Sequence, residues 1–242
     1  MFVKTNDCIE FSSLPSHCHY LKNKTTTMHY KYIYECDFEL NSKLVKRGWR
    51  RFGKYFSRPN CKDCAECKNL RIDVKNFLFS KSVRRIINKN TNTKIFIQSP
   101  TLSFAHLDLY VKYHKFMQEK RGWKYYPISA QMYNELYVEG ASSFGKEVLY
   151  FIDEQLVGVD LIDFTDDGIS SIYFFYDPKY SHLSLGRYSI YQQILLAKKS
   201  DLSYIYLGYY VQNCQSLEYK ASYKPHEILI DLPELHEDII WR

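Results

Sequence analysis

The chain has 242 residues, room for one large domain or two compact ones around a sizeable core. With 45% hydrophobic and 25% charged residues it falls outside the disordered class, and no apolar run nears the ~20 residues of a spanning helix. A formal charge of +6 suits a polyanionic partner, and seven cysteines cannot all pair, so a disulfide framework is rejected in favour of free thiols in a reducing cytoplasm. The opening MFVKTNDCIEF lacks the charged-then-apolar pattern of a secretory signal, in keeping with a cytoplasmic protein that has no membrane segment.

The first half mixes helices and strands. TTTMHYKYIYE (25–35) alternates like a strand, and FELNSKLVKRG (38–48) has helical spacing with Gly48 placed as its C-cap. WRRFGKYF (49–56) reads as one strand, and LRIDVKNF (70–77) as another after the cysteine-rich turn CKDCAEC (61–67). Ser80 is set to cap a short basic helix running to Lys89, and TNTKIF follows as turn then strand. SFAHLDLYVKYHKFMQEKRG (103–122) is a long periodic helix ending at Gly122, and Ser129 opens a shorter one, SAQMYNELYV.

The second half is more regular. KEVLYFID (146–153), QLVGVDLIDFT (155–165) and ISSIYFFY (169–176) form three antiparallel strands, with tight turns at Asp153-Glu154 and Asp166-Asp167-Gly168. SLGRYSIYQQILLAKKS is a helix with Ser184 as its N-cap and Lys198-Lys199 in its last turn. A strand SYIYLGYY (203–210), a short helix NCQSLEYK and a last strand EILID complete the chain. This order is that of an acyltransferase (GNAT-like) domain, and it predicts an α+β fold with mixed, mainly antiparallel sheets. Fold alone does not give function.

In such a domain the helix after the antiparallel strands starts beside a splayed strand pair, where its free N–H groups bind an anion. Here the turn is SLGR, with Gly186 allowing close backbone approach and Arg187 adding charge. The window HLSLGRY lacks the Arg/Gln-x-x-Gly-x-Gly/Ala pattern of acetyl-CoA enzymes, which disfavours a CoA thioester and leaves another phosphate-bearing acyl donor open. Cations crowd two stretches, Lys43 to Arg58 and Lys81 to Lys89, either as solvated faces or as a nucleic-acid track; Arg50 and Arg51 are the candidates for the track. Cys61, Cys64 and Cys67 on two-residue spacings, with Cys18 as a fourth thiol, could ligate zinc or an iron–sulfur cluster, or be reduced thiols in a tight turn.

IYFFYDPKYSHLSLGRYSIYQQI (172–194), YIYLGYYVQNCQSLEYKASYKPHEIL (204–229), RGWRRFGKYFSRPNCKDCAEC (47–67) and CHYL (18–21) together resemble the arginyl/leucyl-tRNA–protein transferase family over nearly the whole chain. The compact length and CHYL in place of a Cys-x-x-Cys pair are similar to its bacterial branch. The resemblance implies two GNAT-like halves, 1–98 with the cysteine motif and basic stretches and 99–242 with the transferase site. It implies transfer of leucine from leucyl-tRNA to the α-amine of proteins beginning with Asp or Glu, which marks them for degradation through the N-end rule. Eukaryotic members carry an iron–sulfur cluster on N-terminal cysteines, but the second cysteine of that pair is missing here. The family's Lys-Met-x-Tyr-Lys reads SLEYK, so Ser216 and Leu217 replace its first two residues and no role passes to them.

An aminoacyl ester is already activated, and an α-amine with a pKa of ~7.7–8.0 is partly neutral at cytoplasmic pH, so positioning supplies most of what aminolysis needs. Asp177 in YDP is the candidate to hold the attacking ammonium or accept its proton, against a plain turn-forming role before Pro178. Lys220 is favoured for the acceptor's carboxylate or the terminal adenosine phosphate, with Lys224 and Arg187 as the other local cations. Tyr173, Tyr176 and Tyr209 are placed to stack on the terminal adenine or donate to a carbonyl oxygen, though most of the 23 tyrosines must serve packing. No nucleophile pairing or phosphate-cleaving loop is evident, so direct amine attack by a monomer without a required cofactor is expected. The alternatives are another aminoacyl-tRNA donor, such as arginine, and a non-catalytic cysteine-knuckle RNA-binding protein.

Overall fold

The computed structural model describes residues 8–242; the first seven residues of the opening stretch lie outside it. In chain order the elements are β1 (Cys8–Ser12), β2 (Ser16–His17), β3 (Thr25–Thr26), β4 (Met28–Ile33), α1 (Phe38–Lys46), β5 (Arg50–Phe52), β6 (Tyr55–Pro59), β7 (Lys68–Asp73), α2 (Lys81–Lys89) and β8 (Lys94–Gln98). They continue with α3 (Phe104–Arg121), α4 (Ala130–Tyr133), β9 (Gly145–Ile152), β10 (Gln155–Phe164), β11 (Gly168–Tyr176), α5 (Leu185–Lys199), β12 (Tyr204–Tyr210), β13 (His226–Ile230) and β14 (Ile240–Trp241).

Helix boundaries follow their caps. Asp37, Ser80, Ser103 and Ser129 each accept a backbone N–H at the start of α1, α2, α3 and α4, and Gly122 closes α3 in the left-handed region. Several expectations change. NCQSLEYK is a run of turns rather than a helix, and only Glu218–Ser222 winds into a 3-10 turn. α1 ends at Lys46 with Arg47 as its C-cap, and Gly48 follows at φ +82. The single strand expected over 49–56 is a hairpin, because Gly53 sits at φ +58 and a Cβ there would meet the Glu135 carbonyl oxygen at 1.9 Å. β1 and the two-residue β2 and β14 were not foreseen; two residues carry too little alternation to register.

A four-stranded sheet, β1-β4-β6-β5, is built from the amino-terminal elements, and an eight-stranded sheet runs β14-β13-β7-β12-β11-β10-β9-β8. Residues 68–98, grouped by sequence with the amino-terminal half, contribute β7 and β8 to this large sheet. Among the described residues its strands pair antiparallel except β11–β12, giving the mixed α+β class expected. Asp153 and Glu154, both at positive φ, make the two-residue turn between β9 and β10.

Alternation along the strands divides the core. Leu70, Ile72, Val148, Tyr150, Ile162, Ile205 and Leu207 pack beneath α5 and α2, while Leu149, Val159, Leu161, Ile172 and Phe175 pack against α3 and residues 130–138. The small sheet has its own cluster of Ile33, Leu44, Trp49 and Phe56.

The first basic stretch fastens the two sheets together. Arg51 makes a bidentate ion pair with fully buried Asp163 of β10, at 2.7 Å on each arm. Lys46 reaches Asp166, Arg47 donates to the Glu234 and Glu237 carbonyls, and Arg58 donates to the Leu232 and Pro233 carbonyls while pairing with Glu234. These cations have internal partners, so they are connectors first.

Candidate active site

β11 and β12 pair only over Gly168–Ser170 and Tyr204–Tyr206. Beyond that both strands continue but separate, leaving carbonyls on two walls of a fork. Two cations supply the missing donors. Arg50 donates to the Ser171 carbonyl, to the Ile172 carbonyl at 3.5 Å and to Ser170 Oγ at 3.3 Å. Lys220 Nζ donates to the Leu207 and Tyr209 carbonyls of the opposite wall, at 2.8 Å each.

Gly208 makes this possible. It stands at φ +71 in a bulge of β12, and a Cβ there would lie 2.6 Å from Arg50 Nε. Burial and the neighbouring Arg50 charge pull the Lys220 ammonium down from 10.5 to about 7.

At the foot of the fork, Gln193 of α5 donates to Asp160 Oδ2 at 2.8 Å and to Ser171 Oγ at 3.2 Å. Asp160 is fully buried, and burial raises its carboxyl to about 7. The signal for it was present: an acid in the middle of the apolar strand QLVGVDLIDF must be satisfied internally or be functional.

α5 begins beside the fork, without the cap expected. Ser184 adopts φ 58 and its hydroxyl makes no cap bond. The helix start therefore has no side-chain cap: the Arg187 and Tyr188 N–H groups donate to the Ser184 carbonyl, Gly186 and Arg187 are exposed, and nothing lies within 4 Å of a Cβ placed on Gly186. Open space over free amides is what an anionic group needs.

Asp177 is buried at the end of β11, and its Oδ1 accepts the Lys179 N–H at 2.9 Å as cap of the following 3-10 turn. Tyr173 donates its hydroxyl to His114 Nε2 at 2.7 Å, because His114 Nδ1 carries its proton toward the Tyr110 carbonyl. Its hydroxyl is thus occupied on the α3 side of the sheet. Tyr209 donates to the Ser57 carbonyl at 3.0 Å and ties the small sheet to the fork. Tyr176 stays half-buried at the mouth, its phenol raised by burial and lowered by Arg121. Lys224 is exposed at the head of β13.

Arg51 is inside its ion pair, so no phosphate can reach its guanidinium, and Arg50 is committed to the fork wall. The track expected at these two residues is not presented to solvent. Arg121, which sequence reasoning missed, is exposed at the end of α3, and its charge is felt by Tyr113, Tyr176 and Tyr219. Nothing local marked it; only the packing of α3 across the sheet brings that helix end to the fork.

The cysteines gather at the same end of β12. Burial pushes the Cys67 thiol up to about 12, with Cys18, Cys61, Cys64 and Cys214 raising it further as neighbouring thiols. Burial raises the Tyr20 phenol, as do Cys67, Cys214 and Cys18, while Arg50 pulls it down, so this cluster borders the fork. As placed, the thiols are near one another without being drawn together as a ligand set. Cys61 Sγ turns to Thr26 and Thr27 at 3.7 Å, Cys18 Sγ accepts the Tyr20 N–H, and no three His, Cys, Asp or Glu among the described residues form a ligating group.

This chain is matched by two family models, "Arginine-tRNA-protein transferase, N terminus" over residues 16–85 and "Arginine-tRNA-protein transferase, C terminus" over residues 105–230. A curated aspartate/glutamate leucyltransferase of Campylobacter jejuni subsp. jejuni is 55% identical over 234 residues, covering 96% of this chain and 98% of that one. One of Helicobacter hepaticus is 40% identical over 233 residues, covering 96% and 97%. Among solved structures, that of L-PGS from Bacillus licheniformis overlaps 66% of this chain and 56% of its own, with a TM-score of 0.45 at 15% identity. With matching models over both halves and relatives aligned nearly end to end, the chain belongs to the arginine-tRNA–protein transferase family.

Proposed function

We propose that this protein transfers leucine from leucyl-tRNA to the α-amine of proteins that begin with Asp or Glu, in the cytoplasm, and so marks them for degradation. The observation that carries the reading is the fork between β11 and β12, where Arg50 and Lys220 line the walls and the uncapped start of α5 opens beside them. The names of relatives at 55% and 40% identity support leucine as donor and acidic N-termini as acceptors.

The terminal phosphate of the tRNA rests on the α5 amides with Arg187, and the ester enters the fork. The acceptor amine, neutral, attacks the ester carbonyl. A C–N bond forms, the C–O bond to the ribose breaks, and the proton leaving the amine ends on the departing ribose oxygen. Lys220 has three N–H groups and spends two on strand carbonyls; the third points its charge at the carbonyl oxygen as negative charge develops there. Arg121, exposed at the mouth, takes the acceptor's side-chain carboxylate, since the favoured Lys220 is already held by carbonyls. Asp177 positions the turn that leads into α5. The thiols take no part.

The test is incubation of the purified protein with leucyl-tRNA or arginyl-tRNA and a peptide starting with Asp, read by mass spectrometry. A leucine added to the peptide's N-terminus is the expected product. Addition of arginine alone would overturn the donor, and tRNA binding with no product would leave the non-catalytic RNA-binding reading.

A further inference from the structure

The two basic stretches of the sequence meet opposite fates. Lys46, Arg47, Arg50, Arg51 and Arg58 of the first are consumed as internal fasteners, whereas the second, on α2, remains outside. With 100° between successive residues, Lys81, Arg84, Arg85 and Lys89 fall within an arc of about 140° on one face. All four are exposed, and among the described residues none of them is in an ion pair. No Asp or Glu occurs between Val74 and Leu107, so nothing along this stretch neutralises them.

The opposite face of the helix is used up. Val83 is buried, and Ile86 and Ile87 pack on the core beneath α5. A membrane-surface helix needs a free apolar face to insert, and this one has none to offer. What remains is a rigid row of point charges about 13 Å long, suited to a repeating row of phosphates.

Its direction is also set. At the far end, Lys198 of α5 lies 5.5 Å above the Phe79 ring, adding a cation beside the helix start. At the near end, Asn90 Nδ2 donates to the Ile86 carbonyl at 2.9 Å and the Leu183 carbonyl at 3.0 Å, which pins the end of α2 to the turn leading into α5. The row therefore runs antiparallel to α5 and finishes at the helix start beside the fork.

We propose that the exposed face of α2 is the docking surface for the phosphodiester backbone of the tRNA's acceptor arm, guiding its charged end to the start of α5. This rests on the reading of aminoacyl-tRNA as the donor. Such contacts carry no base information, so the surface accepts any acceptor stem of A-form geometry and leaves donor choice to the fork.

The experiment replaces Arg84→Gln and Arg85→Gln together in the full chain and measures affinity for a leucine-accepting tRNA between 50 and 300 mM KCl. Each lost phosphate contact lowers the salt slope by about one, so a slope reduced by about two is expected, with affinity about tenfold weaker at the lowest salt. A control with Lys43→Gln and Lys115→Gln, two exposed cations elsewhere, is expected to keep the wild-type slope. In peptide transfer the α2 variant is expected to raise KM for leucyl-tRNA while retaining kcat, and its melting temperature to match wild type. Unchanged affinity and slope would overturn the proposal, as would an equal loss in the control. So would loss of binding to phosphatidylglycerol vesicles with tRNA affinity intact, which would make the helix a lipid-headgroup site. If wild type forms no leucyl peptide, the donor reading falls, while the salt slope still decides the surface.

Discussion

Lys220 is the residue whose replacement reports most directly on the fork. Its ammonium, lowered to about 7 by burial and Arg50, is charged below that pH and neutral above it. The attacking α-amine behaves oppositely in effect, being reactive only when neutral, above ~7.7–8.0. The rate of transfer at saturating leucyl-tRNA then follows the product of the two fractions. It rises with pH through the amine's titration and falls as Lys220 loses its proton, giving a bell centred at about pH 7.5. Lys220→Arg keeps a charge that does not titrate in this range, so the falling limb disappears and the rate climbs to a plateau above about pH 8.5. Lys220→Met removes the charge and leaves the Leu207 and Tyr209 carbonyls without their donor. Loss of a donor to a developing oxyanion costs about 10²–10³ in kcat, and each carbonyl left bare costs about 1–3 kcal/mol of stability. The assay is single-turnover peptide transfer from pH 6 to 9, with melting followed in parallel. A falling limb that survives in Lys220→Arg would refute the assignment, as would a Lys220→Met enzyme of undiminished kcat.

Arg51→Met leaves Asp163 buried and unpaired, so a loss of about 3–5 kcal/mol in denaturant unfolding is expected, with the tRNA salt slope unchanged in whatever folds. Asp160→Asn tests the raised carboxyl. The native state keeps a proton that the unfolded chain loses between 3.8 and about 7, so stability falls with rising pH across that window and the penalty is complete above it. At ~1.36 kcal/mol per pKa unit the penalty is about 4 kcal/mol; the variant is expected to melt about 10 °C higher at pH 8 and no higher at pH 4. With the acyl transfer assigned to the fork and not to the thiols around Cys67, transfer is expected to persist after dialysis against a chelator, and its loss with recovery on adding zinc would show that a metal organises that end of β12.

Much of the architecture was legible locally. Helix starts at Asp37, Ser80, Ser103 and Ser129, the left-handed stop at Gly122 and the turn at Asp153-Glu154 depend on one or two residues whose side chains or dihedrals decide the matter themselves. The three antiparallel strands, α5 and β12 followed from alternation and period. What pattern could not assign was the partner of each charge.

Arg51 and Arg84 look alike in the sequence, each one of an adjacent pair of arginines within a basic stretch. One closes on Asp163, 112 positions away, and the other is exposed and, among the described residues, in no ion pair. Ser184 has the chemistry of an N-cap yet takes a left-handed backbone because the turn after Asp177 demands it. Lys220 has nothing beside it in sequence to say that two strand carbonyls would claim it. Composition, caps and periodicity are short-range properties, and the chain states them outright. Whether a cation fastens, catalyses or waits for phosphate is settled by which distant carboxylate or carbonyl the fold carries to within 3 Å of it, because electrostatics and hydrogen bonding act over that distance and not along the chain.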